Sequence, residues 1–175
     1  MTHSMDTDRN AWLDWYRTNR RRSRELFEVA RAEAYYDRPI PLRNPICFYE
    51  GHLPAFSVNT LIKRGLKERG VDDDYETLFE RGIDPEDEAA VGNGGSRWPP
   101  RERILRYAEQ ADRLVLGALA REDVVREDDP TLRGGLAAYT ILEHEPMHQE
   151  TLRYMWHRLP YDKKVRPSGT PPVTG

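Results

Sequence analysis

The apolar residues of this chain recur at three- and four-residue steps through four long stretches, the spacing that gives a helix one apolar face. The stretches run from Asp8 to about Tyr36, from 48 to 66, from Arg101 to Arg121 and from about Thr131 to Arg158. None of them alternates apolar and polar residues as a half-buried strand does. Because each apolar face has to be buried, the pattern predicts an all-α fold, a four-helix bundle.

Proline-rich and glycine-rich segments separate the predicted helices. The segment RPIPLRNPI, residues 38–46, contains three prolines, which favour an extended connector over a helix interior. Residues 72–100 are acidic and then rich in glycine, which predicts a long irregular connection between helices 2 and 3, with at most a short helix around 75–80. The arginines at 20–24 are interpreted as a solvated outer face of helix 1. Residues 161–175 are interpreted as a C-terminal linker or tail.

Charge and cysteine content exclude several classes of partner. The chain has 27 basic and 30 acidic residues and a formal net charge of -3, so no overall basic field attracts nucleic acid or an anionic membrane. No apolar run approaches the roughly 18 residues of a membrane span. The single cysteine, Cys47, and the lack of a secretory signal favour a cytoplasmic protein. Its apolar neighbours predict a buried, inert thiol.

The fourth helix carries the stretch HEPMHQETL, residues 144–152. Four residues turn a helix by about 400°, so His144 and His148 lie about 40° apart around the axis and both imidazoles can reach one ion. Neighbouring apolar positions direct the pair into the bundle, where unpaired imidazoles cost free energy that a shared metal offsets. Pro146 has no amide hydrogen for the carbonyl of Leu142, so a kink or bulge is expected between the histidines. The metal-free alternative is an unstrained helix with two satisfied core histidines.

A third ligand has to come from another part of the chain. His52 is on the core stripe of the second helix, and the adjacent Gly51 permits close approach of another backbone. His157 falls on the opposite side of the fourth helix, and His3 is at the start of the chain. Among the flanking acidic residues, Glu150 is the best candidate to support a liganding imidazole from behind, rather than to bind the ion itself.

The same letters also satisfy H-E-x-x-H, the zinc-peptidase pattern, in which the glutamate is the general base. The extended form of that pattern fails, because Thr151 stands at its glycine position and Tyr154 at its histidine position. Pro146 also disturbs the regular helix that such an enzyme needs. The peptidase interpretation is therefore disfavoured.

Two stretches, NPICFYEGHLPAF at 44–56 and ILEHEPMHQETLRYMWHRLP at 141–160, resemble the DinB-like domain of the ergothioneine-type sulfoxide synthases and their selenoneine-forming relatives. The resemblance implies a DinB-like metal-binding domain over residues 1–160. It also implies a non-haem iron(II) bound by His52, His144 and His148, with open positions for a thiol and dioxygen. Three neutral nitrogens also suit zinc, and nickel is a further possibility.

In that family, oxygen-dependent carbon–sulfur bond formation joins a small-molecule thiol to a histidine-derived betaine. Members carry a second domain of the formylglycine-generating-enzyme type with a catalytic tyrosine, which leaves the catalytic residues here unknown and implies that a second domain or a separate chain completes the site. Two alternatives stay open. One is a stand-alone DinB-like thiol-dependent S-transferase that uses zinc or nickel without oxygen. The other is a non-catalytic helical interaction module, in which loss of the histidines changes stability alone.

Overall fold

The computed structural model describes residues 2–80 and 98–166, and the side chains from residue 9 onward within them. The α-helices are α1 (Thr2–Phe27), α2 (Ile46–Ser57), α3 (Asp73–Leu78), α4 (Arg101–Leu119) and α5 (Leu136–Arg158). A π-helix, Val58–Leu66, continues α2, and short 3-10 turns cover Ala32–Ala34, Glu122–Val124, Arg133–Gly135 and Tyr161–Lys163. Within the described ranges the extended pairing is one isolated bridge, between Ala30 and Lys164. The predicted all-α fold is confirmed.

The four long helices contact one another in a closed ring. Helix α1 packs against α5 and α4, and α2 packs against α4 and α5 on the other side. These are the contacts of a four-helix bundle, with the apolar stripes turned inward around a buried core. In this arrangement α2 and α5, which carry the candidate ligands, are direct neighbours.

Two of the long helices are shorter than the periodicity predicts. Helix α1 ends at Phe27 because the following backbone turns to pair with the end of the described chain: Arg31 N donates to Lys163 O at 3.0 Å and Val165 N to Val29 O at 2.7 Å. Helix α5 begins at Leu136 because Gly134 and Gly135 have φ of 57° and 76°, which a right-handed helix excludes.

The interpretation of the arginine run as a solvated face is wrong for Arg20. This side chain is 5% exposed and joins three helices, with Nε donating to Asp112 at 2.8 Å and Nη1 to Glu145 at 3.0 Å. Arg24 also donates to Asp112, at 2.7 Å. The sequence analysis missed this burial because charged residues are usually exposed, and an arginine is buried only where, as here, carboxylates pair with it.

The structure describes part of the irregular connection after α2 and part of the predicted tail. Helix α3 is the short helix expected before the long irregular connection, of which residues 81–97 lie outside the described part. The predicted tail makes structure up to Arg166, including an ion pair of 2.6 Å between Lys163 and Asp37, and 167–175 lie outside. Cys47 is buried, and burial raises the pKa of its thiol to about 12. Among the described helices, none is both long and apolar enough to cross a membrane.

Candidate metal centre

The three histidines selected from the sequence meet at one point between α2 and α5. Nε2 of His52 lies 3.3 Å from Nε2 of His144 and 3.2 Å from Nε2 of His148. The Nε2 atoms of His144 and His148 are 3.1 Å apart. The one-turn spacing on α5 thus aligns two imidazoles, and the packing of α2 against α5 adds the third.

The spacing of these nitrogens fits a single ion. Two nitrogens each about 2.1 Å from one metal lie about 3.0 Å apart at a right angle and about 3.4 Å apart at the tetrahedral angle. The three observed separations, 3.1 to 3.3 Å, fall between these limits. The spacing of the three nitrogens is therefore that of three ligands to one ion.

All three imidazoles are neutral near pH 7, the protonation state that metal ligation requires. Burial, together with the neighbouring His148 and His52, lowers the pKa of His144 to about 2. Burial, His52 and Arg43 lower the pKa of His148 to about 3. Burial also lowers the pKa of His52, although its bond to a backbone carbonyl opposes the shift.

A backbone carbonyl fixes the tautomer of His52. Its Nδ1 lies 2.7 Å from the carbonyl oxygen of Phe79, which only accepts, so Nδ1 carries the proton and Nε2 presents its lone pair to the other two histidines. His148 Nδ1 has no hydrogen-bond partner among the described residues. A cation at the centre satisfies all three inward-facing nitrogens at once, so the donor set fits a metal.

Gly51 makes that carbonyl contact possible. A Cβ at this position would lie 2.4 Å from the ring of Phe79, which is fully buried against α2. Gly51 therefore does permit a close approach, but of the Phe79 side chain and not of a backbone as expected. The sequence analysis missed Phe79, because it contacts His52 through its backbone carbonyl, and every residue type has such a carbonyl.

Aromatic rings line the histidines. Phe56 stacks on His144 with ring centroids 3.5 Å apart and planes 7° apart, and Phe48 stacks on His52 at 5.0 Å. Tyr49 lies against His148 at 5.5 Å. These contacts fix the planes of the rings and form an apolar lining beside the nitrogens.

The sequence predicts a kink or a bulge at Pro146, and the bulge is not found, since α5 stays α-helical through this residue. The carbonyl of Leu142, which Pro146 has no amide hydrogen to bond, instead accepts from Nδ2 of Asn19 at 2.8 Å. The wider turns of a π-helix are found elsewhere, at Val58–Leu66, which continues α2, the helix that carries His52.

Residues 16–152 match the family model described as the DinB superfamily. The chain belongs to this superfamily. Over 146 residues this DinB superfamily chain is 35% identical to Ergothioneine biosynthesis protein 1 of Neurospora crassa, a match that covers 79% of the chain and 16% of the relative. The chain therefore spans about 16% of that relative's length. The family resemblance read from the two histidine-bearing stretches is confirmed.

The other candidates of the DinB superfamily chain lie away from the three nitrogens. Glu150 is exposed and accepts from the hydroxyl of Tyr154 at 2.9 Å, and no described contact joins it to the histidines. Glu145 is buried instead, accepting from Ser23 at 2.6 Å. His157 is exposed on α5, and the side chain of His3 lies outside the described part.

Proposed function

We propose that this chain is the metal-binding domain of a sulfoxide-synthase-like enzyme and that His52, His144 and His148 bind one iron(II). The observation that carries the proposal is the convergence of three neutral Nε2 atoms within 3.3 Å of one another. The similarity to a protein named for ergothioneine biosynthesis supports the reaction class.

The proposed reaction joins a small-molecule thiol to the imidazole of a histidine-derived betaine. One S–H and one C–H bond break, a C–S bond and an S–O bond form, and dioxygen accepts four electrons as its second oxygen atom leaves in water. Bound iron(II) supplies the activation of dioxygen and a template for the thiol. The histidines hold the ion through neutral nitrogens, and Phe48 and Phe56 keep two of the rings in place.

A second domain or a separate formylglycine-generating-enzyme-like chain completes the substrate pocket in this proposal. The chain spans 16% of the relative's length, and none of its residues is assigned as catalytic. We accordingly expect metal binding and little turnover from the chain alone. The proposed setting is cytoplasmic, in line with a single cysteine that is buried.

Bound metal per chain tests the ligand set. The protein is purified without oxygen in the presence of iron(II) and, in parallel, of zinc, and metal is measured for the parent and for His52→Ala, His144→Ala and His148→Ala. One equivalent in the parent and a large loss in each variant is expected, because two imidazoles hold a divalent ion far less tightly than three. His157→Ala, an exposed histidine of the same helix, is the matched control and keeps the metal.

The same samples separate the proposed enzyme from its alternatives. Iron that binds in preference and is oxidised by air supports the synthase. A marked preference for zinc or nickel, with no reaction with oxygen, supports the thiol transferase in its place. A parent without stoichiometric metal leaves a helical interaction module, and the proposal then fails.

A further inference from the structure

Pro146 creates a problem in the turn of α5 that carries the histidine pair. In an α-helix the carbonyl of Leu142 accepts from the amide of residue 146, and proline has none. Leu142 is fully buried, so its carbonyl has no route to bulk water. A buried carbonyl without a donor destabilises the fold and lets the turn shift toward other partners.

Asn19 of α1 donates the hydrogen bond that the Leu142 carbonyl lacks within α5. Its Nδ2 donates to the Leu142 carbonyl at 2.8 Å, and the side chain is 1% exposed. Its Oδ1 has no hydrogen-bond partner among the described residues, so the amide group is used for its donor. About two turns further along α5 from Leu142, Gln149 Nε2 donates to the backbone carbonyl of Asn19 and to Ser23 Oγ, each at 3.0 Å.

These bonds hold α5 at both ends of the segment that contains His144 and His148. Leu142 is two residues before the first histidine, and Gln149 directly follows the second. The Nε2 separation of 3.1 Å within this pair depends on the local geometry of that segment. A relaxed turn at Leu142 would change the direction of the His144 ring relative to its partner.

We propose that Asn19 is a positioning residue of the metal centre, acting through the carbonyl that Pro146 leaves free. The inference rests on the proposed metal site. A purely structural role for Asn19 would change stability and leave the coordination of the ion as it is. The decisive readout is therefore spectroscopic, and cobalt(II) is the probe because its visible absorption reports ligand geometry.

The experiment is a double-mutant cycle of Asn19→Ala and Pro146→Ala, measured with cobalt(II). Asn19→Ala alone is expected to weaken cobalt binding about tenfold and to shift or broaden the visible bands. In the double variant the new amide of residue 146 bonds Leu142, so affinity and spectrum should return to those of Pro146→Ala alone. Thermal unfolding of the metal-free variants gives the same cycle for stability, with a loss of about 5 °C in Asn19→Ala that Pro146→Ala suppresses.

The matched control is Asn59→Ala. Asn59 is likewise buried and donates to a backbone carbonyl, that of Glu76 at 3.1 Å, but no proline created that need. Its effect on thermal unfolding should add to that of Pro146→Ala without rescue.

Each outcome decides the proposal. A parent-like spectrum and affinity in Asn19→Ala overturns it, as does a cycle that is additive in both readouts. If Asn19→Ala does not fold, recovery of folding and of cobalt binding in the double variant supports the proposal, and a double variant that folds without recovering cobalt binding overturns it. A parent that binds no cobalt overturns the proposed function and the positioning role together, while the metal-free cycle still shows whether Asn19 replaces the missing amide.

Discussion

Gly51 affects the geometry of His52 through Phe79, whose ring packs against this glycine and whose carbonyl accepts from His52. An added methyl group would lie 2.4 Å from the buried Phe79 ring, closer than carbon atoms approach, so Phe79 and its carbonyl must move. We expect Gly51→Ala to lower the free energy of unfolding by about 1–3 kcal/mol. Metal affinity should fall at least about tenfold, because His52 Nδ1 loses its acceptor at 2.7 Å. Urea unfolding and cobalt(II) titration measure the two effects.

Gly117 is the matched control for that substitution. It is in α4, and a Cβ there would meet nothing within 4 Å. Gly117→Ala should stabilise the protein by about 0.5–1 kcal/mol through helix propensity and leave metal binding unchanged. Equal metal affinity in Gly51→Ala and Gly117→Ala would show that the Phe79 contact has no influence on the site.

At the level of elements, buried ionic contacts tie α1 to α4 and α5. Arg20 bonds Asp112 and Glu145, and Tyr16 donates to the same Asp112 at 3.0 Å. Removing the guanidinium leaves Glu145 buried without its cation, while Asp112 keeps its contact with Arg24. We expect Arg20→Met to lower the free energy of unfolding by about 3–5 kcal/mol.

An exposed arginine supplies the comparison for this prediction. Arg121 also bonds two carboxylates, those of Glu68 and Asp123, but its side chain is 40% exposed. Arg121→Met should lower the free energy of unfolding by under about 1 kcal/mol, since water solvates the two exposed carboxylates once the guanidinium is removed. Chemical denaturation of both variants measures the difference, and similar losses would mean that the Arg20 contacts do not join the helices as described.

The positions of the helices and of the three candidate ligands were predictable from the sequence, but some helix boundaries and the contacts around the ligands were not. Apolar periodicity located four helices and put His52, His144 and His148 on inward faces, since burial follows the helical period. The C-terminal end of α1 and the start of α5 were not predictable, because they depend on pairing with a distant segment and on two glycines with positive φ. The hydrogen bonds of the Phe79 carbonyl to His52 and of Asn19 to Leu142 were also not predictable. A contact between residues far apart in the sequence leaves no regular spacing in the local sequence.

For the whole molecule, the lowered histidine pKa values predict acid sensitivity of the metal-free fold. The pKa is about 2 for His144 and about 3 for His148, against about 6.5 in an unfolded chain. Between about pH 3 and 6.5 the unfolded chain binds more protons, so stability falls as pH falls through that window. From pH 7 to 5 each histidine should remove about 1–2 kcal/mol of unfolding free energy.

The measurement is urea unfolding at pH 7 and pH 5 with a chelator present. A variant with His144→Gln and His148→Gln should lose less stability than the parent over this interval, while His157→Gln should follow the parent. Parallel losses in all three proteins would mean that these imidazoles are not held neutral in the fold.

The distance along the chain between the ligands has a topological consequence. His52 and His144 are 92 residues apart, yet their nitrogens face one another at 3.3 Å. An ion held by both closes the intervening chain into a ring and restricts the unfolded state much as a disulfide would, by about 4–5 kcal/mol for a loop of this size. With the proposed ion bound, a protein whose one cysteine can form no internal disulfide would have a cross-link of another kind, which a chelator would open and a reductant would leave intact.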